Sequence, residues 1–302
     1  MTQPLELSLC KSVESLAGLP LQHFVMEPKL DGIRIQMNVV GGLLTPVRCW
    51  TRSNHDATGK MVAAERAIAD FADDLAGTVL DGEAVYVDAT GAADFNFTTR
   101  CMGSGVDKCV EKQRVARQYV SYVLFDVLVV KGTDVRHLPL SERRSLLERI
   151  VRSIDSEHVR ITEQAAPSAE QHRIYTEQYG EGSVIKDVRA PYTAGRSKAS
   201  LKWKKTLDED VVVMGSEAGK GKYASMVGAV VFGQYKDGTL VERGRCSGMT
   251  DAVRQELTDA LPVGAVMVIT HNGVQAGDGF RHPQFSHFRT DKLPEQCEWT
   301  VA

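Results

Sequence analysis

The spacing of apolar and polar positions divides the first two thirds of the chain into strands and helices. Alternating or continuous apolar runs predict four strands, at 35–39, 43–50, 78–87 and 119–130. The last of these is the most apolar and is expected to lie in the middle of a sheet. Apolar residues at helical spacing predict three helices, at 59–75, 138–152 and 168–180. The stretch 89–111, with several glycines among polar residues, is expected to be a long excursion between elements.

The last third of the chain has a pattern of its own. An acidic cluster at 206–210 changes the composition and predicts a domain boundary. Beyond it, short apolar runs predict strands at 211–216, 228–235, 240–246 and 265–270. Asp237 and Gly238 are typical of a tight hairpin turn, and a helix is predicted at 250–261. This pattern is typical of a five-stranded OB barrel, a fold that commonly binds nucleic acid. We therefore predict an α+β protein with domains at 1–206 and 207–302.

The charge of the chain limits what it can bind without a dedicated site. Its 302 residues are 43% hydrophobic and 25% charged, and a formal net charge of −3 gives no overall attraction to nucleic acid. A polyanion must therefore be held by a local basic patch. Between 186 and 205 seven lysines and arginines face one acid, Asp187, and are interleaved with Tyr192, Leu201 and Trp203. This interleaving predicts a packed strand with a basic face rather than a solvated charge run.

The cysteines and the N-terminal region give expectations about location. The six cysteines are scattered without a Cys-x-x-Cys pair, which indicates neither a zinc finger nor a disulfide framework and suits a reducing compartment. Residues 1–25 lack the pattern of a signal peptide, and no run of about 18 apolar residues occurs. We expect a cytoplasmic protein, or one in the host cytoplasm if it is viral. We also expect a monomer, because no apolar helix face is left unexplained.

Lys29, two residues before Asp31 and Gly32, is the candidate catalytic residue. The Asp-Gly pair is a turn signal, and a turn would double the backbone back and expose the lysine amine at the edge of a pocket. A lysine amine is nucleophilic only when neutral, and nearby cations or a bound metal lower its pKa. Arg34, in the strand that follows, could reach a phosphate or a ribose. Lys-x-Asp-Gly alone is a weak pattern, and a surface lysine beside a hairpin turn is the alternative.

Three carboxylates are candidate partners for this lysine. Asp81, directly before Gly82, is interpreted as a turn former. Glu83, between apolar neighbours, is the better candidate ligand for a metal-bound water or a ribose. Glu181 follows a helix and a glycine and enters a strand, an order that could aim its carboxylate at a metal; a solvent-exposed helix end is the alternative.

Cations and one aromatic residue complete the candidates. Lys202 and Lys204 share one strand face, where they repel each other unless an anion such as a triphosphate lies between them. Arg52, just after a strand, could grip a phosphate or cap a loop. Phe125 could stack on a base, although core packing is the usual role of an aromatic in an apolar strand.

The order of these motifs resembles that of the covalent nucleotidyltransferases, which comprise ATP-dependent DNA ligases, RNA ligases and messenger-RNA capping enzymes. The matching stretches are Lys-Leu-Asp-Gly-Ile-Arg at 29–34, Asp-Gly-Glu at 81–83, Phe-Asp-Val-Leu at 125–128, Glu-Gly-Ser-Val-Ile-Lys at 181–186, Leu-Lys-Trp-Lys-Lys at 201–205 and Arg-Thr-Asp-Lys at 289–292. The resemblance extends over 27–292 and is strongest to small two-domain DNA ligases of bacteriophages and bacteria. It implies an adenylation domain of ATP-grasp-like antiparallel sheets with helices at 1–206, followed by an OB-fold β-barrel at 207–302.

The resemblance also implies the reaction and the cofactors. Lys29 would attack the α-phosphate of ATP to give a lysyl-AMP intermediate, with Mg²⁺ or Mn²⁺ as the divalent ion. AMP would pass to the 5′-phosphate of a nick in double-stranded DNA, and the 3′-hydroxyl would displace it. Glu27 and Leu30 would contact the adenine, and Phe125 would stack on it. Glu83 would hold the ribose or a metal-bound water.

The remaining roles implied by the resemblance concern charge. Glu181 would help to bind the divalent ion. The α-phosphate would be neutralised by Lys186, Lys202 and Lys204, and the ribose or the nick 5′-phosphate would be contacted by Arg34 and Arg52. The leaving pyrophosphate would be oriented by Arg289 and Lys292. DNA would be held by Arg52, Arg196, Lys198, Lys205, Lys220 and Lys222, because no N-terminal helical DNA-binding domain or zinc module is expected.

Three alternatives stay open from the sequence. A GTP-dependent RNA capping guanylyltransferase shares the lysine motif, but usually carries Asp-Gly where this chain has Glu181 and Gly182. An RNA ligase is disfavoured, because a C-terminal OB domain is uncommon in that branch. A non-catalytic OB-fold nucleic-acid-binding protein would explain the last third of the chain but leaves the lysine and glutamate motifs without a role.

Overall fold

A computed structural model describes residues 3–42, 46–87, 93–274 and 277–300. The chain divides into two compact units, Met1–Lys204 and Lys205–Ala302. Within these described ranges, the first unit contains two sheets with five α-helices, and the second contains one sheet with one α-helix. No helix in the described ranges is long and apolar enough to cross a membrane.

The first sheet of unit 1 separates a polar face from an apolar one. Its order is β1 (Ser8–Val13), β10 (Gly195–Lys204), β9 (Gly182–Asp187) and β2 (Phe24–Pro28). Only β1 and β10 are parallel. Glu27 pairs with Val184, which pairs with Lys202, so these residues share one face. The opposite face, which contributes Met26, Ile185 and Leu201, packs with Tyr175 of helix α5 (Ala169–Tyr179).

The second sheet of unit 1 carries the main core. Its order is β4 (Val47–Thr51), β3 (Ile33–Val39), β5 (Val79–Val85), β6 (Ser121–Val130) and β7 (Thr133–Asp134), with β8 (Val159–Ile161) also paired to β6. The predicted apolar strand, β6, therefore lies inside the sheet. The core side chains come from this sheet and from helices α1 (Val62–Ala69), α2 (Phe95–Met102), α3 (Val106–Ala116) and α4 (Leu140–Ile154).

The helices agree with the sequence pattern in part. Helix α5 has the predicted ends: Ser168 accepts a hydrogen bond from the Gln171 amide at 2.9 Å, and Gly180 takes a positive φ of 85°. Helix α1 is shorter than predicted, because residues after Ala69 form turns. The expected excursion at 89–111 contains helix α2 and most of α3. Residues 43–45, in a predicted strand, lie outside the described residues.

Unit 2 is an antiparallel sheet with an OB-like strand order. The order is β13 (Thr239–Cys246), β12 (Val227–Lys236), β11 (Leu207–Ala218), β14 (Val266–His271) and β15 (Gln284–Arg289), and helix α6 (Asp251–Asp259) lies between β13 and β14 in sequence. The predicted hairpin is present, with φ of 51° at Asp237 and 76° at Gly238. A single parallel bridge between Ser247 and Gln284 joins the two edges of the sheet.

Candidate active site

Lys29 lies where the chain crosses from the first sheet of unit 1 to the second. Its amide donates to the Gly182 carbonyl at 2.9 Å, just after β2 ends. Strands β2 and β3 belong to different sheets, so Asp31 and Gly32 do not close a β-hairpin, which the alternative of a surface lysine beside a hairpin turn requires. The glycine is needed for another reason: a Cβ at Gly32 would lie 2.3 Å from the Ala84 carbonyl oxygen. Close packing of the crossing segment against β5 therefore fixes the position of the lysine.

The lysine meets two other predicted site residues. Lys29 Nζ donates to Oε2 of Glu181, and Lys204 Nζ lies 3.7 Å from Oε1 of the same carboxylate. Glu181 is only 7% exposed. It stands between Gly180, which closes helix α5, and strand β9. Lys202 lies on the same face of β10 as Lys204, as the alternation predicts.

A second cluster forms around Glu27, which is 2% exposed. Lys186 Nζ lies 2.6 Å from Glu27 Oε2, and Gln164 Nε2 donates to Oε1 at 2.8 Å. Lys186 Nζ is also 4.7 Å from the centre of the Phe125 ring. The structure therefore pairs the charge of Lys186 with Glu27, next to the aromatic residue predicted to stack on a base.

A bulge places Phe125 at this site. Asp81 pairs with Asp126 and Gly82 with Leu124, which leaves Phe125 as the extra residue of β6. Its ring lies near two cations, since Arg34 Cζ is 5.3 Å from the ring centre in addition to Lys186. The ring is thus next to the charged cluster.

Asp81 and Arg34 form a buried ion pair. Arg34 donates from Nε and Nη2 to the two carboxylate oxygens of Asp81, at 2.9 and 2.6 Å, and from Nη1 to the Ser8 carbonyl at 2.6 Å. Tyr192 donates its hydroxyl to Asp81 at 3.1 Å. The interpretation of Asp81 as a turn former is therefore wrong, because it lies within the continuous strand β5 and is fully buried. Most donors of Arg34 are used within the protein.

Glu83 lies opposite Arg34 on the paired strands β5 and β3. Burial raises the pKa of the Glu83 carboxyl to about 8, with the charges of Glu181 and Asp81 acting in the same direction and those of Lys29 and Arg34 opposing it. Glu181, the other predicted metal-binding carboxylate, is thus close enough to Glu83 to help raise the pKa of Glu83. In the described part of the chain, no group of three or more histidine, cysteine, aspartate or glutamate side chains could hold a metal ion.

The raised pKa of Glu83 predicts a pH-dependent stability. Because the ordinary value is 4.5 and the folded value about 8, the folded state binds this proton more tightly than the unfolded state. The free energy of unfolding should therefore fall as the pH rises through that window. We expect Glu83→Gln to be more stable than the wild type at pH 8.5, by on the order of 1–3 kcal/mol, and similar to it near pH 5.

Urea unfolding at both pH values measures this difference. Glu142→Gln, at an exposed position on α4, is the matched control and should follow the wild type at both pH values. A constant difference between Glu83→Gln and the wild type across this range would contradict the raised pKa.

The predicted DNA-contacting cations are mostly on the surface. Arg52 is exposed in the turn that follows β4. The exposed members of the set are Arg52, Arg196, Lys198, Lys220 and Lys222, and Lys205 is half-buried. In the loop at 219–226, Lys222 Nζ lies 3.9 Å from Asp251 and Tyr223 donates its hydroxyl to the same carboxylate at 2.6 Å.

In unit 2, the two predicted pyrophosphate-orienting cations lie together. Arg289 Nη1 and Lys292 Nζ donate to Oδ2 of Asp210, at 2.9 and 2.7 Å, and Arg289 also pairs with Asp291. Asp210 lies near the start of β11, the first strand of unit 2, and its carboxylate therefore holds both cations next to that strand.

Sequence reasoning missed residues that support the site. Asp126 forms a two-point ion pair with Arg143 of α4, at 2.8 Å for each contact, and both are buried. The motif Phe-Asp-Val-Leu contains Asp126, which was a usable signal. Gln164 and Tyr192 lie in no motif, and nothing in the sequence pattern indicates that they reach Glu27 and Asp81.

Comparisons with known proteins place the chain among ligases. The family model described as the ATP dependent DNA ligase domain matches residues 7–206. A protein of Streptomyces coelicolor named "Probable DNA ligase" is 34% identical over 98% of this chain and 62% of its own length. A protein of the same name from Anaeromyxobacter sp. is 30% identical over 96% of this chain and 59% of its own length. The chain thus spans about six tenths of the length of these curated relatives.

Solved structures show the same fold. A structure from a study of Lig E DNA ligases, described as DNA binding with a minimal scaffold, is 21% identical with a TM-score of 0.71, covering 95% of this chain and 100% of that one. A mycobacterial DNA ligase D complexed with ATP and MES is 22% identical with a TM-score of 0.56, covering 98% of each chain. Because the model of the ATP dependent DNA ligase domain matches more than half of the residues of this chain, the chain belongs to the ATP-dependent DNA ligase family.

Proposed function

We propose that this chain is an ATP-dependent DNA ligase that seals nicks in duplex DNA through a lysyl-AMP intermediate. The observation that carries the proposal is the meeting of Lys29, Glu181 and Lys204, which come from three neighbouring strands or their ends. An amine can act as the nucleophile at the α-phosphorus of ATP, a carboxylate can accept its proton, and a second cation can stabilise the charge on the phosphate oxygens. Membership of the ligase family supports the same reaction.

ATP binds with its base at the cluster around Glu27 and its α-phosphate at the cluster of Lys29, Glu181 and Lys204. Glu27 accepts from the adenine amine beside Leu30, and Phe125 stacks on the ring. Lys202 and Lys204 neutralise the α-phosphate from one face of β10. Lys186 of β9 adds positive charge on the side of the α-phosphate, and its ammonium also pairs with Glu27.

In the first step, Lys29 forms a bond to the α-phosphorus. Its ammonium first loses a proton, and Glu181 is the carboxylate in contact with that nitrogen. The neutral amine attacks, the N–P bond forms, and the bond from the α-phosphorus to the bridging oxygen breaks with pyrophosphate as the leaving group.

Glu83 and Glu181 are suited to a divalent ion. Mg²⁺ is commonly held by one or two carboxylates together with water and substrate phosphates, so two neighbouring glutamates fit it without a third protein ligand. When bound, Mg²⁺ or Mn²⁺ would supply positive charge at the phosphate oxygens. Lys29, which contacts Glu181, also lies close enough to Glu83 for its charge to act on that carboxylate, and this supports a single site.

The later steps use DNA as the acceptor. A 5′-phosphate oxygen attacks the phosphorus of lysyl-AMP, the N–P bond breaks, and the nitrogen of Lys29 takes up a proton as it leaves, which restores its amine. The 3′-hydroxyl then loses its proton and attacks the 5′-phosphate, and AMP leaves. Arg52 contacts the 5′-phosphate or the ribose, and the exposed cations described above hold the duplex, whereas Arg34 supports the site through its ion pair with Asp81. Unit 2 acts as an OB barrel, a proposal supported by the bridge between Ser247 and Gln284.

A sealing assay tests this function. A labelled duplex with one nick, carrying a 5′-phosphate and a 3′-hydroxyl, is incubated with the protein, Mg²⁺ and ATP. We expect a sealed DNA strand with ATP and a much lower yield with GTP. Sealing of a nicked RNA duplex in preference to DNA would favour the RNA ligase alternative. Binding of the duplex without sealing under any of these conditions would contradict the proposal.

A further inference from the structure

The carboxylate of Glu27 is held from both sides. Oε1 accepts from Gln164 Nε2 at 2.8 Å, and Oε2 accepts from Lys186 Nζ at 2.6 Å. The side chain of Glu27 is 3% exposed, so water cannot replace either partner easily. The terminal torsion of a glutamate is otherwise broad. Two donors on two oxygens therefore fix the plane of this carboxylate.

The backbone beside Gln164 is itself anchored to the strand that carries Glu27. Gln164 lies shortly after β8, and the next residue, Ala165, forms two backbone hydrogen bonds with Met26. The Met26 amide donates to the Ala165 carbonyl at 2.8 Å, and the Ala165 amide donates to the Met26 carbonyl at 2.9 Å. Met26 is the neighbour of Glu27 in β2 and is fully buried. The amide of Gln164 is thus presented to Glu27 by a local piece of antiparallel pairing.

We infer that Gln164 is a positioning residue that sets the base specificity of the nucleotide site by fixing Glu27 as an acceptor for the exocyclic amine of adenine. This inference rests on the proposed function, in which Glu27 reads the base. A carboxylate can only accept hydrogen bonds, and each oxygen of Glu27 keeps accepting capacity beyond its present partner. Adenine presents an amine at position 6, whereas guanine presents a carbonyl oxygen, which a fixed carboxylate repels.

Loss of Gln164 leaves Lys186 as the single donor described on Glu27. The carboxylate can then turn about its terminal torsion towards the ammonium, which weakens its contact with the adenine amine and its repulsion of a carbonyl. Lys186 cannot compensate, because it donates to one oxygen only. The effect should appear in the choice of base and not in the chemistry at phosphorus.

The test compares nucleotides that differ at position 6 of the purine; purine riboside triphosphate differs from ATP only there, and GTP also carries an amine at position 2. We measure kcat/KM for formation of the covalent nucleotide adduct with ATP, with GTP and with purine riboside triphosphate, in which hydrogen replaces the amine. For Gln164→Met, which keeps the length of the side chain, we expect a loss of about ten- to thirtyfold with ATP. The loss with purine riboside triphosphate should be below about threefold. The preference for ATP over GTP should fall accordingly.

Two comparisons separate positioning from a merely structural role. Gln178→Met, at an exposed position on α5, should behave as the wild type with all three nucleotides. Gln164→Ala should reproduce the pattern of Gln164→Met, and Gln164→Asn, which restores the amide on a shorter side chain, should recover part of the ATP preference. Thermal unfolding shows that each variant is folded.

Two further results would overturn the inference in different ways. Equal losses with ATP and with purine riboside triphosphate, or no loss with ATP, would show that Gln164 does not act through recognition of the amine. If the wild-type protein forms no adduct with any nucleotide, the proposed function itself fails, and the role of Gln164 fails with it.

Discussion

Lys29→Ala should abolish the sealing of a nick that carries a 5′-phosphate, yet still seal a nick whose 5′ end is already adenylated. The amine is the group of the protein that the proposed chemistry joins to AMP, so its removal blocks the first two steps. In the last step the 3′-hydroxyl attacks an activated phosphate and the lysine forms no bond. We expect a loss of at least about 10³-fold with the 5′-phosphate substrate. With the adenylated substrate, the rate should stay within about tenfold of the wild type.

Gel analysis of both labelled substrates measures the two rates. Lys108→Ala, an exposed lysine on α3, is the matched control and should seal both substrates at the rate of the wild type. Equal loss on both substrates would mean that Lys29 supports the site and is not the nucleophile. Normal sealing of the 5′-phosphate nick would exclude it from catalysis.

Arg143→Met should cause the largest loss of stability among the substitutions considered. Arg143 and Asp126 have side chains that are 3% and 7% exposed, and their two contacts tie helix α4 to the bulge of β6. Arg143 also donates to the Leu138 carbonyl at 2.6 Å. Removing the cation leaves a buried, uncompensated carboxylate, which typically costs about 3–5 kcal/mol. Chemical denaturation of the purified variant gives this value.

Two variants make this second experiment specific. Adding Asp126→Leu to Arg143→Met removes the stranded charge and should restore most of the lost stability. Arg149→Met, at an exposed position on the same helix, should change the free energy of unfolding by less than about 0.5 kcal/mol. If the double variant is no more stable than Arg143→Met, the loss comes from packing and the ion-pair explanation is wrong.

The central residues of the site were predictable because local patterns carry them. Alternation along β10 places Lys202 and Lys204 on one face, and the ending of α5 at Gly180 delivers Glu181 to the start of β9. Lys29 joins them because β2 and β9 are neighbours in one sheet. The spacing of the residues predicted where each side chain lies on its own element, and the pairing of the strands brought these side chains together.

Other features depend on contacts between segments that are distant in sequence. Asp81 follows the local rule for a turn, yet Arg34 and Tyr192 hold it inside a strand. Asp31 and Gly32 carry a local turn signal, yet they lie in the segment that crosses between two sheets and packs closely against β5. Helix α2 was not predicted from the sequence, because it has only eight residues and its N-cap, Asp94, is a single-residue signal. Such outcomes depend on tertiary packing, which residue spacing does not encode.

The most direct test of the account is the mass of the protein after incubation with Mg²⁺ and ATP, with GTP and the Lys29→Ala variant in parallel. With ATP, we expect the mass of the protein to rise by one AMP. The mass of the variant should not change, and the adduct should be lost when nicked duplex DNA is added. A GMP adduct in place of AMP would indicate a capping enzyme. Absence of any adduct, or an AMP adduct that persists in Lys29→Ala, would contradict the assignment of Lys29 as the nucleophile.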